Sequence, residues 1–248
     1  MGYNAVEFLP LFDFANVEIP YKDEDSPVYN DWNPYAANHW GYMPTFLFAP
    51  EGQYASDGSS HPNAWSGTDG RQINEFKTVV KELHKNGIAV IMDVVYNHVS
   101  QYDNHPLKQM NKNAYFRQNE IGEYSSVSGC GNDLMTEHPF IRQMIIESVL
   151  YWMEEFHIDG FRFDLGKLLD WKTVEEIREK AVTINPNVFI TCETAELVLP
   201  KREQIQNDRY RRGETVRGVV KSVENTGQNS SRFLVFFPKC FDLLYSHA

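Results

Sequence analysis

Two hydrophobic rhythms alternate along this chain. Asn4-Ala5-Val6-Glu7-Phe8-Leu9 is a short apolar run halted by Pro10, the pattern of a buried strand that opens directly into a loop. From there to Gly70 the chain is rich in Asn, Asp, Pro, Gly, Ser and aromatic residues, which predicts a long, structured loop of the kind that carries function. Ile73, Phe76, Val79, Val80 and Leu83 then recur at helical spacing, with Asn86-Gly87 as a left-handed stop. Residues 88–95 form an apolar run broken only by Asp93, as expected of a parallel strand covered on both faces. Residues 98–136 lose periodicity and read as a loop-rich insertion after this second strand. A second helix opens at Pro139 and keeps Ile141, Met144, Ile145, Val149, Trp152 and Phe156 on one face. A strand over 158–165, a helix over 172–184 closed by Asn185-Pro186, and a strand over 188–192 that runs into Glu193 complete the series.

Repeated strand–helix alternation implies a parallel sheet, either open and doubly wound or closed into a barrel. No Gly-rich phosphate loop follows the first strand, which weighs against the open dinucleotide-binding form. A length of 248 residues accommodates one barrel-sized domain. The formal net charge of −11 opposes a phosphate backbone or an anionic lipid surface, so neither nucleic acid nor a membrane is expected as a partner. Five Trp, 13 Tyr and 16 Phe supply flat apolar faces suited to neutral, hydroxyl-rich ligands, although any single ring reads first as core. Cys130, Cys192 and Cys240 lie far apart, without a Cys-x-x-Cys pair, and read as structural thiols. No apolar run approaches the ~18 residues of a membrane span. Met1 to Pro10 lacks the basic start and long apolar stretch of a signal peptide, which leaves a cytoplasmic setting slightly favoured.

The polar residues at the strand ends carry the chemistry. Side chains alternate along a strand, so Arg162 and Asp164 share one face while Phe161 and Phe163 take the other, against the helices. Arg162 is expected to lower the Asp164 pKa and keep that carboxylate ionised, as a nucleophile requires. By the same alternation Asp93 and Asn97 share a face, with Asp93 in reach of Arg162 and His98 just beyond the strand. Glu193 brings a second carboxylate to a strand end, where barrel active sites are built. Glycoside hydrolysis needs such a pair in opposite protonation states, one to attack the anomeric carbon and one to protonate the leaving oxygen.

DVVYNHV at 93–99, GFRFDLGK at 160–167 and FITCE at 189–193 resemble three sequence regions of the α-amylase family of glycoside hydrolases. NHWGYMPTFLFAPEGQYAS at 38–56, the helix followed by GIAVIMD, and GCGNDLMTEHP at 129–139 are similar to its pullulanase, isoamylase and glycogen-debranching branch, and the likeness runs from about Gly2 to Ala195. The resemblance implies a (β/α)8 barrel and retaining chemistry on α-linked glucans, with Asp164 as nucleophile and Glu193 as general acid/base. It further implies that Tyr42 stacks on the sugar being cleaved, that His98 contacts its hydroxyls, that Arg162 orients the nucleophile and that Asp93 supports the arginine. Asn97 lies near a calcium site in many relatives; a lone Asn is more often a cap, and calcium stays open while no cofactor is required. Trp40 reads as packing. Cleavage of α-1,6 branch links follows from the resemblance alone; α-1,4 cleavage, glucan transfer and glucan binding without turnover are the alternatives.

The pattern is incomplete at both ends. The resemblance implies a third carboxylate, an Asp preceded by His on a later strand, whereas His247 is followed by Ala248. Between Lys201 and Lys221 the chain carries seven Lys/Arg against three Asp/Glu, a net +4 that leaves −15 for the remainder. The expected organisation is therefore α/β: a partial TIM barrel over 1–196 with about four of the eight strands and the insertion at about 98–136, then an atypical tail over 197–248 not assignable to the barrel. Such a stretch by itself is expected to be inactive or nearly so.

Overall fold

The computed structural model describes residues 3–15, 38, 40–59, 66–100 and 105–193, together with the backbone of 233–236. Five parallel strands form the main sheet: β1 (Ala5–Phe8), β4 (Ala89–Val94), β5 (Gly160–Phe163), β6 (Phe189–Cys192) and β7 (Phe233–Phe236), in the order β6-β5-β4-β1-β7. β7 pairs in parallel with β1; the rest of 197–248 lies outside the described residues.

Three helices connect or follow these strands: α1 (Arg71–Lys85), α3 (Pro139–Phe156) and α4 (Trp171–Ile184). Two of them begin for a local reason. Pro139 occupies the first turn of α3 and the His138 side chain accepts the Phe140 N–H; Asp170 caps α4 by accepting the Thr173 N–H. α1 packs on α3, and α3 on α4, so successive helices lie side by side. That arrangement is the winding of a barrel segment, since a doubly wound sheet sends its helices to both faces.

The core lies between these helices and the sheet. Val90, Met92, Val94, Phe161 and Phe163 are all fully buried and meet Ile141, Ile145, Val149, Trp152 and Phe156 of α3. Phe161 and Phe163 pack into this core while Arg162 stays partly exposed, as the alternation requires.

Besides β7, a fifth strand of the sheet drawn from the stretch expected to stand outside it, two stretches differ from the sequence expectation. The long loop after β1 contains an antiparallel ribbon of β2 (Phe12–Phe14) and β3 (Pro44–Pro50) with irregular register. β3 alternates clearly, with Phe46 and Phe48 outward and Leu47 inward, but prolines at both ends and a three-residue partner conceal it in a one-dimensional reading. Leu47 is fixed by α3, whose Trp152 Nε1 and Ser148 Oγ donate to its carbonyl at 2.9 and 2.6 Å. The insertion contains a helix as well, α2 (Pro106–Tyr115), kinked at Asn111. Tyr115 is its only buried residue, so no apolar stripe announces it; the His105 cap on Leu107 N–H and the Tyr115 anchor hold it instead.

Candidate active site

β4 and β5 run in register with Asp93 opposite Arg162, and β5 and β6 with Arg162 opposite Thr191. The strands therefore deliver Asp93, Arg162, Asp164 and Glu193 to one end of the sheet on one side. Arg162 Nη1 donates to Asp93 Oδ2 at 2.5 Å and lies 3.8 Å from Asp164 Oδ1, while Nη2 lies 3.2 Å from Glu193 Oε2. One guanidinium thus holds three carboxylates. Tyr42, half-buried on the loop before β3, donates its hydroxyl to the same Asp93 oxygen at 2.6 Å.

The loop after β5 is shaped to bring the carboxylates of β5 and β6 together. Leu165 adopts a left-handed backbone conformation, φ 41°, which is strained for a side chain branched beyond Cβ. In that conformation its N–H donates to Glu193 Oε2 at 3.3 Å. Gly166 then passes so close to β6 that a Cβ there would sit 2.6 Å from the Cys192 Cβ. Asp164 and Glu193 end in direct hydrogen-bonding contact.

Their proton affinities are pushed apart. The Asp164 pKa is raised to about 6, first by burial and then by Glu193, against the lowering pull of Asn97 and Arg162. Burial alone would raise Glu193 too, but the Leu165 N–H, the Asp164 carboxyl and Arg162 together bring it below the usual range. The expectation that Arg162 leaves Asp164 with a depressed pKa is corrected here, because desolvation outweighs the arginine. Asp164 is still mostly ionised at neutral pH. Asp93 is pushed up to about 7, chiefly by burial, with the Tyr42 phenol and Arg162 resisting; its Oδ1 is buried without a hydrogen-bond partner.

Asn97 and His98 follow β4. The Asn97 amide donates to the Asp164 carbonyl oxygen at 2.8 Å and to its carboxylate Oδ2 at 3.3 Å. His98 is 1 % exposed, with Nδ1 2.5 Å from Asn97 Oδ1 and Nε2 2.7 Å from the Tyr42 carbonyl oxygen. Both ring nitrogens are thus engaged by the protein rather than presented to the mouth. Asn97 is committed at both ends of its amide, and among the described residues no cluster of three or more His, Cys, Asp or Glu could hold a metal.

Trp40, read as packing, is 58 % exposed. The segment around His247 lies outside the described residues. Two contributors escaped the sequence reading. Glu7 on β1 feels the Arg162 charge and in turn raises Asp93; strand alternation would have exposed it had β1 been read face by face. Leu165 has no sequence signal, since nothing local requires its left-handed backbone.

Parallel strands with helices side by side and a carboxylate–arginine cluster at one strand end are the features of a barrel segment with its reactive groups at the strand ends. Comparison with known proteins gives the branch. The chain is 38 % identical over 200 residues to the pullulanase of Bacillus subtilis, covering 81 % of this chain and 25 % of that one. It is 41 % identical over 176 residues to the chloroplastic isoamylase 3 of Oryza sativa, covering 68 % of this chain and 21 % of the relative. Among solved structures, pullulanase type I from Bacillus subtilis complexed with maltose superposes with a TM-score of 0.64 at 38 % identity, over 80 % of this chain and 25 % of that chain. Pullulanase from Paenibacillus barengoltzii with maltohexaose and α-cyclodextrin gives a TM-score of 0.63 at 35 % identity, over 80 % and 28 %. No family model matches the chain. The chain belongs to the α-amylase family of glycoside hydrolases, in the branch of pullulanases, isoamylases and glycogen debranching enzymes, and spans about a quarter of the length of these relatives. No helix among the described residues is long and apolar enough to cross a membrane.

Proposed function

We propose that this chain carries the nucleophile and the acid/base of a retaining hydrolase that cleaves α-1,6 branch links in α-glucans such as pullulan, starch or glycogen. The observation that supports it is the meeting of Asp164 and Glu193 from neighbouring strands around the Arg162 guanidinium. Asp164 attacks the anomeric carbon and forms the glycosyl ester while the bond to the leaving oxygen breaks; that oxygen takes the Glu193 proton. Glu193, now a carboxylate, takes a proton from water, whose oxygen displaces Asp164. Arg162 orients the nucleophile, Asp93 and Asn97 support the two strand ends, and the Tyr42 ring is the face on which the sugar stacks.

The free pair differs from the working pair in two respects. Its carboxyl groups touch, whereas a retaining pair stands about 5 to 5.5 Å apart. Its proton also resides more readily on Asp164 than on Glu193. A sugar entering between them removes the mutual hydrogen bond that lifts Asp164 and shields Glu193 from solvent, and both changes move the proton toward the acid role. The test is product analysis on pullulan and on linear maltooligosaccharides. Cleavage of pullulan supports this reading; cleavage of the linear substrate alone selects the α-1,4 alternative, and calorimetric binding with no turnover selects a glucan-binding role.

A further inference from the structure

Single exposed apolar side chains are ordinary on a protein surface and need no role of their own. Phe48 leans on Tyr151 and Phe140 on Tyr115, with ring centroids 5.8 and 5.5 Å apart. Trp40 stands apart from these. At 58 % it is the most exposed Trp, Tyr or Phe among the described residues, and it lies two positions before Tyr42, whose ring is the stacking face of the proposed site. Two residues of chain span at most about 7 Å between Cα atoms, so the indole is mounted beside that face.

The mounting is rigid on both sides. The Trp40 N–H donates to Asn38 Oδ1 at 3.1 Å, which fixes the turn before it. Gly41 has φ 81° and is pressed so closely on the end of β1 that a Cβ there would sit 2.3 Å from the Pro10 carbonyl oxygen. Tyr42 is tied at its hydroxyl to Asp93 Oδ2, at 2.6 Å, and at its carbonyl oxygen to His98 Nε2, at 2.7 Å. The Met43 carbonyl accepts the Ala15 N–H at 3.2 Å. An exposed indole on such a base gives up little conformational freedom when a ligand covers it.

The order of the strands tells which part of a glucan that indole meets. Glu193 follows β6, Asp164 follows β5 and Pro10 follows β1, in a sheet ordered β6-β5-β4-β1. The leaving oxygen takes its proton from Glu193, so the leaving chain lies toward β6. The retained sugar is bonded to Asp164, and further sugars on its non-reducing side continue the other way, over β4 toward β1. Two strand spacings, about 10 Å, separate β5 from β1. Gly41 is seated there on Pro10, and Trp40 with it. An α-glucosyl ring offers a C–H face and a hydroxyl rim, which match an indole with an apolar body and a wet edge.

We infer that Trp40 is the binding platform for the next sugar of the retained chain, the α-glucosyl unit on the non-reducing side of the one held by Tyr42. The inference rests on the hydrolase reading, because Asp164 and Glu193 define the two directions. It makes Trp40 a specificity residue, favouring substrates with two or more glucose units on the retained side over those with one.

The test is nitrogen-15 NMR of the indole N–H groups in the full chain, which has five tryptophans, titrated with glucose and with maltotriose. The Trp40 signal, identified by its loss in Trp40→Phe, is expected to move with maltotriose and to stay in place with glucose. Trp40→Ala should weaken maltotriose binding about tenfold and Trp40→Phe about threefold or less, with glucose binding and the melting temperature unchanged. In hydrolysis, Trp40→Ala should lower kcat/KM on 6-O-α-maltosyl-maltotriose and spare 6-O-α-glucosyl-maltotriose, which differ only on the retained side. Unchanged maltotriose affinity in Trp40→Ala, or a lowered melting temperature with the affinity intact, makes Trp40 packing and overturns the inference while the hydrolase reading stands. Equal weakening of glucose and maltotriose places the indole at the cleaved sugar and overturns it too. A wild-type chain that binds no maltooligosaccharide overturns both.

Discussion

Asp133 in the insertion and Asp164 at the mouth of the sheet are both buried carboxylates, 1 % and 8 % exposed, yet they are used in opposite ways. Asp133 accepts from Ser125 Oγ at 2.8 Å, Val127 N–H at 2.7 Å, Ser128 N–H at 3.3 Å and the Ser128 hydroxyl. Four neutral donors bind both of its oxygens, which welds a loop. Asp164 has a long contact from Asn97, an arginine at 3.8 Å and a competing carboxylate. One site has every lone pair occupied and the other is left unfinished. The two regions are joined, because Leu134 N–H donates to the Asn97 carbonyl at 2.9 Å and His98 bridges to Asp133 through the backbone. The insertion thus serves as a rigid abutment for a mouth whose groups are kept reactive by being incompletely satisfied.

The contrast can be tested in order of expected effect. Asp164→Asn should lower turnover of the hydrolase by about 10⁴-fold or more and Glu193→Gln by about 10²–10⁴-fold, with thermal stability unchanged or raised, measured by steady-state hydrolysis beside melting curves. A loss of stability equal to the loss of activity would place Asp164 with Asp133 among structural carboxylates. Asp133→Ala should do the reverse, costing about 2–4 kcal/mol in urea unfolding because it strands several buried donors. Retention of full stability would show the loop to be held by something else.

The third test is pH. Asp93 is raised from 3.8 to about 7, so the folded state binds its proton more tightly than the unfolded chain does. The stability this contributes is complete below about pH 4 and is lost as pH rises toward 7. Asp93→Asn should flatten that decline in urea melts stepped across the range. Glu51 in the ribbon loop, raised to about 8 chiefly by burial, should continue the decline above pH 7 in both proteins. The smallest effect belongs to Tyr42→Phe, which removes one hydroxyl bond to Asp93 and should cost about 1 kcal/mol. It should leave sugar stacking intact, so the glucan dissociation constant is expected to change little by calorimetry.

Much of the barrel segment was legible from the chain alone. Alternation across 160–164 and 189–193 determined that Arg162, Asp164 and Glu193 leave the helix side together, because side-chain direction in a strand is a property of the backbone. The stripes of α1 and α3 were equally readable, since each buries one face against the sheet, and α4 was marked by its Asn185-Pro186 stop. The ribbon and α2 were hidden, as β3 is bounded by prolines and α2 buries a single tyrosine.

Only the tertiary structure decided how the site is charged. Tyr42 reaches Asp93 from 51 residues away, His98 finds its second partner on the Tyr42 backbone, and Asp164 takes its raised pKa from burial and from Glu193 on the next strand. A side chain's direction depends on its own few bonds. Its proton affinity depends on the water excluded and the charges gathered around it, and those are set by strands and loops that the chain brings together only when folded.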